Sequence, residues 1–185
     1  MRVLYKILAA YLFLCGSAVA SLGQEMTIDN FNSNPQNNWR FFADTVMGGV
    51  SSGKVEFKSE GGKAFAQMTG KVSTANNGGF IQIRRDLSVS PSADANGIRL
   101  MVRGNSQRYY IHLRTSGTLL PWQYYQAGFN VTPQWREVKL PLTSFKASCS
   151  MLRETPKATS LKSVAVVAFG KDYDADIQVR EIGFY

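Results

Sequence analysis

Ile98-Arg99-Leu100-Met101-Val102-Arg103-Gly104-Asn105-Ser106-Gln107-Arg108-Tyr109-Tyr110-Ile111-His112-Leu113-Arg114 is the stretch that decides the fold. Ile98, Leu100 and Val102 alternate with Arg99, Met101 and Arg103. Tyr109, Ile111 and Leu113 alternate in the same way with Tyr110, His112 and Arg114. Successive side chains of a strand point to opposite faces, so each run has one apolar and one polar face. Arg103-Gly104-Asn105-Ser106 separates the runs with residues that tolerate unusual backbone angles, and reads as a hairpin turn between neighbours in one sheet.

The same period of two recurs at Trp39 to Ala43, Lys54 to Lys58, Ala64 to Val72, Phe80 to Arg85, Tyr124 to Val131, Trp135 to Leu140, Val164 to Phe169 and Ile177 to Phe184. Val164 to Phe169 is apolar on both faces, which places it centrally between two covered surfaces. Ser148 to Ser160 is polar and reads as a long surface loop. Roughly ten short strands with no amphipathic helix predict an all-β single domain, a β-sandwich or jelly roll.

Met1 to Ala20 reads as a secretory signal peptide: Arg2 and Lys6 are the basic region, Ile7 to Cys15 the apolar region, and Ala18-Val19-Ala20 the small residues before cleavage. The apolar run is too short to span a bilayer, and no second run of membrane length follows. Cleavage after Ala20 leaves a domain from Ser21 to Tyr185, with its core at about 28–185, in a secreted or periplasmic setting. The net charge of +8 loses Arg2 and Lys6, and one of the two cysteines leaves with Cys15, so Cys149 stands alone. That excludes an intrachain disulfide, a CxxC redox pair and a cysteine-based zinc site.

His112 is the only histidine, which leaves one possible base for a Ser-His-Asp arrangement and none for a multi-histidine metal site. No nucleophile elbow, phosphate loop or dinucleotide motif occurs, and no pair of carboxylates stands out as a glycosidase pair. Asp172-Tyr173-Asp174-Ala175-Asp176 opens like a calcium loop, but Ile177 stands where that loop needs glycine. Basic residues are scattered, so nucleic-acid binding is not expected. The expectation is a chain that is not an enzyme and carries no metal or cofactor.

Two Gly-rich segments are more specific than ordinary turns: Phe42-Ala43-Asp44-Thr45-Val46-Met47-Gly48-Gly49-Val50-Ser51-Ser52-Gly53, and Asn76-Asn77-Gly78-Gly79-Phe80-Ile81-Gln82-Ile83-Arg84. With Tyr124 to Phe129, Trp135 to Phe145 and the closing Glu181 to Tyr185, they resemble the complex I intermediate-associated protein 30 family in order from about Phe31 to Tyr185. The resemblance implies a galactose-binding-domain-like jelly roll. Mitochondrial members of that family are assembly chaperones for respiratory complex I, whereas this leader is secretory rather than an Arg- and Ser-rich transit peptide.

The paired glycines either let backbone N–H groups approach a ligand or make tight corners that close a sandwich, and the corner is the favoured reading. Asp44, Asn77 and Arg84 are the polar candidates beside them, and an Asp44–Arg84 ion pair would tie the two loops. Along the polar faces, Arg84, Arg99, Arg103, Tyr110, His112 and Arg114 would share one surface if their strands are neighbours. Trp122 follows as an exposed aromatic anchor. Rings stack on sugar faces and guanidinium forks bind hydroxyls or carboxylates. The first reading is a non-catalytic binding or assembly module with a protein partner. The alternative is a carbohydrate-binding module using the Arg and aromatic face, with a glycan as partner.

Overall fold

The computed structural model describes residues 25–185. The signal-peptide reading of Met1 to Ala20 and its cleavage point lie outside the described residues. Among the described residues twelve strands form: β1 (Met26–Asp29), β2 (Trp39–Ala43), β3 (Ser52–Glu60), β4 (Lys63–Val72), β5 (Phe80–Asp86), β6 (Gly97–Gly104), β7 (Arg108–Thr115), β8 (Tyr125–Asn130), β9 (Arg136–Pro141), β10 (Lys146–Ala147), β11 (Leu161–Phe169) and β12 (Tyr173–Phe184). One sheet runs β3-β4-β12-β6-β9, with β1 also paired to β12; the other runs β10-β8-β7-β11-β5-β2. Every pairing is antiparallel. The all-β jelly-roll sandwich read from the period-two runs is the observed architecture.

The alternation decides which side chains enter the core. Ile98, Leu100 and Val102 on β6 and Ile177, Val179 and Ile182 on β12 face Tyr109, Ile111 and Leu113 on β7 and Val164, Val166 and Ala168 on β11 across the sandwich. These two inner faces make one continuous apolar cluster, the dominant source of stability in a domain without a disulfide. β11 is central, between β7 and β5, and its second apolar row is covered too: Ala165 and Val167 are buried on the outer face.

The expected hairpin at Arg103 to Ser106 does not form. β6 lies between β12 and β9, whereas β7 lies between β8 and β11 in the opposite sheet. Gly104 N–H donates to the Thr132 carbonyl at 2.8 Å and Asn105 N–H to that of Asp176 at 3.1 Å, so the segment carries the chain across the sandwich. Tyr109 pins the corner: its hydroxyl donates to Asn105 Oδ1 (2.7 Å) and accepts from Asp176 N–H (2.8 Å). Burial of this phenol pushes its pKa well up, against the hydrogen bond from Asp176. Period two reports which face of a strand is covered and not which strand lies beside it, so hairpin and corner leave the same pattern.

The long loop expected at Ser148 to Ser160 is present and ends in a 3-10 turn at Ala158–Ser160. The strands missed in the sequence, β1 and β10, are the two shortest, where four and two residues give alternation nothing to work with.

Candidate functional site

Asp44 organises the two Gly-rich loops. Its side chain is fully buried and accepts four hydrogen bonds: from Ser51 N–H (2.9 Å), Ser51 hydroxyl (2.5 Å), Gly79 N–H (2.5 Å) and Phe80 N–H (3.2 Å). Burial pushes its pKa up, but the bonds from Gly79, Ser51 and Phe80 outweigh that and hold the carboxyl below its usual range. The glycines follow from this carboxylate. A Cβ on Gly49 or on Gly78 would lie 2.4 Å from Asp44 side-chain atoms, while Gly48 and Gly79 hold φ of +89° and +126°. In the two Gly-rich segments Asp44, Gly49, Ser51, Gly78 and Phe80 thus have a contact behind them and Gly48, Asn76, Asn77 and Gly79 a positive φ, whereas Val46 and Met47 are exposed. The corner reading of the glycines describes this geometry, and Asp44 is turned inward as a clasp.

The expected Asp44–Arg84 pair is absent. Arg84 points to the outer face of β5, with its guanidinium 4.6 Å from the Phe42 ring centroid and its Nε 3.9 Å from Asp86. Asn77 sits in the same turn as Gly78, exposed, at φ +57°.

The one-surface arrangement of the remaining candidates divides in two. Arg99 and Arg103 belong to β6, on the outer face of the first sheet. Arg99 pairs there with Glu25, Glu137 and Glu181; Arg103 pairs with Glu60 and lies 4.6 Å from the Trp135 centroid, where Arg180 also stacks at 4.1 Å. The crossover at Gly104 is what separates them from the rest.

Arg84, Tyr110, His112 and Arg114 do come together, on the outer face of the second sheet. β11 joins their strands: Ala165 pairs in register with both Arg84 and His112. Over this face lies a groove of about 380 Å³ lined by Met47, Phe80, Gln82, His112, Pro121, Trp122, Tyr124, Ser148 and Phe169. His112 stacks on Tyr124 with centroids 4.1 Å apart and planes 9° from parallel, and Phe169 meets both His112 and Tyr110 edge-on at 5.7 and 5.9 Å. Trp122 and Met47 rise at the rim, 61% and 65% exposed.

Burial pushes the His112 pKa down to about 4, only partly offset by the neighbouring Gln126 amide, so the ring is neutral at physiological pH. His112 Nε2, Gln126 Oε1 and Arg84 Nε are buried on this face without hydrogen-bond partners. Such atoms mark polar capacity that the protein itself leaves unmet. Arg114 does not face a ligand. Its Nη2 donates to the carbonyls of Thr118 (3.0 Å) and Leu120 (2.9 Å) and its Nη1 to that of Pro121 (3.4 Å), which fixes the loop presenting Trp122.

Sequence reasoning missed Phe80, Tyr124, Phe169, Met47 and Arg108 as members of this surface. Arg108 was hidden because it precedes the apolar alternation of β7, yet its guanidinium lies on Gly128, where a Cβ would meet its Nη2 at 2.6 Å, and 5.7 Å from the Tyr110 centroid. The register pair Tyr110–Gly128 is the signal that places it.

Among the described residues, no group of three or more His, Cys, Asp and Glu side chains is arranged to hold a metal ion, and no helix is long and apolar enough to cross a membrane. Asp172 caps Thr74, accepting from its N–H and hydroxyl at 2.7 Å, and Asp174 and Asp176 lie on β12 rather than in a loop.

Solved structures with the same architecture include the family 11 carbohydrate-binding module of the cellulosomal cellulase Lic26A-Cel5E of Clostridium thermocellum. It has a TM-score of 0.72 and 13% identity over 89% of this chain and 95% of that one. The family 11 module from the same organism in complex with a β-1,3-1,4-mixed-linked tetrasaccharide has a TM-score of 0.69 at 13% identity, covering 86% and 94%. A family 30 carbohydrate-binding module of the cellulase Cel9D-Cel44B from Clostridium thermocellum gives 0.53 at 10% identity, covering 71% and 82%. At such identities the likeness is one of fold. No curated protein matches the chain in sequence. Residues 29–172, which contain the Asp44 clasp and both Gly-rich segments, match the family described as complex I intermediate-associated protein 30 (CIA30), and the chain belongs to that family.

Proposed function

We propose that the chain is a non-catalytic binding module of the secreted or periplasmic space, and that it holds a glycan in the groove over the second sheet. The observation that carries this reading is the groove's floor: the nearly coplanar His112–Tyr124 stack with Trp122 standing exposed beside it and Gln82 and unpartnered His112 Nε2 within the same surface. Flat rings suit the CH faces of pyranoses, and unmet polar atoms suit their hydroxyls. The carbohydrate-binding modules that share the fold support the same reading. A non-catalytic role is supported by His112, whose neutral ring has no carboxylate or hydroxyl hydrogen-bonded to it among the described residues. The test is titration of the purified protein against a panel of neutral and acidic oligosaccharides. Binding that disappears in Trp122→Ala and Tyr124→Ala is the expected result; absence of binding at millimolar concentration removes the reading.

A protein partner is the second reading. Family membership supports it, because complex I intermediate-associated proteins are named for an assembly role, and so do the exposed apolar side chains Met47 and Trp122 at the rim, with exposed Val46 and Leu119 close to them in the chain. Cross-linked capture from the native envelope fraction discriminates: one partner protein recovered with the wild type and lost with Met47→Asp favours this reading.

A further inference from the structure

The two outer faces of the sandwich differ in charge balance. On the first sheet six basic side chains are matched, Arg99 by three glutamates, Arg103 and Arg180 by Glu60, Lys54 and Lys58 by Glu56, Lys139 by Glu137, and among the described residues Lys63, Lys71 and Arg136 are left without an ion pair. On the second, register and alternation place five cations, Arg40, Arg84, Arg108, Arg114 and Lys146, against a single carboxylate, Asp86. Asp86 is engaged by Arg40 at 2.6 Å and reaches Arg84 only at 3.9 Å. Among the described residues Arg108, Arg114 and Lys146 make no ion pair, and Arg114 is committed to backbone carbonyls. The guanidiniums left to face a ligand are those of Arg84 and Arg108. On strand spacings their Cα atoms stand about 17 Å apart, two strands over and four residues along. Gln82 and the Tyr110 ring lie between them, with Phe169 edge-on to Tyr110, while His112 is level with Arg84 on the strand of Arg108 and its stacking partner Tyr124 lies beyond it.

We propose that the groove takes an anionic polysaccharide, with Arg84 and Arg108, which flank it on the same sheet face, each meeting a ring carboxylate and the aromatic side chains of that face carrying the sugar rings. The proposal rests on the glycan reading and narrows it to uronate-bearing chains. An unbalanced cationic face focuses potential outward, and a guanidinium fork matches a carboxylate with two parallel hydrogen bonds. Gly128 supports the assignment, since its missing side chain lets Arg108 lie flat against the sheet beside Tyr110 instead of extending into solvent. An acidic peptide would satisfy the two cations but gives no use to the aromatic rings gathered on the same face.

The test compares hexamers of galacturonate and of mannuronate with their methyl esters, which keep the rings and remove the charge. The wild type is expected to bind at least one of the acids about a hundredfold tighter than its ester, about tenfold for each of the two charge-assisted pairs. That preference should fade as salt is raised. Arg84→Gln and Arg108→Gln should each cut acid binding about tenfold and ester binding far less, whereas Lys63→Gln on the opposite sheet, with the same loss of net charge, should change the binding of neither ligand. Arg108 is exposed, so its variant remains informative if Arg84→Gln folds poorly. Equal binding of acid and ester that is still lost in Trp122→Ala overturns the anionic assignment and leaves the glycan reading standing. Binding of poly-glutamate but of no sugar, or of nothing at all, overturns both.

Discussion

Replacing Asp44 by Ala and Gly78 by Ala, singly and together, tests whether the carboxylate dictates the glycines. Asp44→Ala strips four accepted hydrogen bonds. The Ser51 hydroxyl can still reach the Ser73 carbonyl at 3.2 Å, which leaves the N–H groups of Ser51, Gly79 and Phe80 without their acceptor. At roughly 1–2 kcal/mol for each stranded donor, the loss is about 4 kcal/mol. Gly78→Ala involves no unusual backbone angle, since its φ is −79°, but its Cβ would press on Asp44 Oδ2 at 2.4 Å and Cγ at 2.8 Å. Overpacking of that kind costs about 2 kcal/mol. With Asp44 already truncated those atoms are gone and only the Gly49 Cα at 3.0 Å remains close. The double variant should therefore lose about 4 kcal/mol rather than about 6, a coupling of about 2 kcal/mol in urea unfolding curves with an unchanged slope. Because the folded carboxyl titrates below its ordinary range, the clasp stabilises the protein above that range and its contribution disappears as pH falls through it. The acid-dependent part of the stability curve should shrink in Asp44→Ala. Additivity within about 0.5 kcal/mol would refute the claim that Gly78 is small because of Asp44.

His112 supplies a second pH signal. The unfolded chain takes up its proton near pH 6.5 and the folded one near 4, so stability should fall by up to about 3 kcal/mol between those values, and His112→Phe should flatten that window. Tyr109→Phe should cost about 1–2 kcal/mol by stranding Asp176 N–H at the sheet-to-sheet corner, measured by the same unfolding curves. Arg114→Met should leave the core intact but free the Trp122 loop, read as a red shift and faster quenching of tryptophan fluorescence together with weaker ligand binding. Trp122→Ala, with a side chain that is mostly exposed, should change stability by less than about 0.5 kcal/mol while abolishing binding.

What could be read from the sequence was whatever depends on one strand at a time. The alternation in Tyr109 to Arg114 gave the outward direction of Tyr110, His112 and Arg114, and the double-sided apolarity of Val164 to Phe169 gave its central place, because both are properties of a strand's own two faces. Pairing is not such a property. Arg99 and Arg103 look identical to Arg114 in pattern and charge, and only the crossover at Gly104 and Asn105 sends them to the other sheet. Tyr124 and Arg108 were invisible for a related reason: each stands at the end of an alternating run, and its neighbour across the strand gap, His112 for one and Gly128 for the other, comes from sequence far enough away that no local window contains both.

The division of Arg99 and Arg103 from Arg84 and Arg108 is also what gives the charge its meaning. Read along the chain, the excess of basic residues is spread thinly, which argues against any polyanion site. Folding redistributes it, since seven of the carboxylates, Glu25, Glu56, Glu60, Glu137, Asp174, Asp176 and Glu181, come to lie on or beside the first sheet's outer face, and five of these pair with its cations. The surplus is thereby left on the second sheet, beside the groove wall where the Tyr124 ring stacks on the neutral His112. If that segregation were incidental, adding a carboxylate there should matter no more than adding one to the first sheet. Lys146→Glu, at the edge beside Gln126, should instead weaken binding of an anionic ligand by several-fold through like-charge repulsion, and Lys63→Glu should have no effect, both read by titration at low salt. Equal effects of the two would show that net charge, and not its placement by the fold, governs what the groove holds.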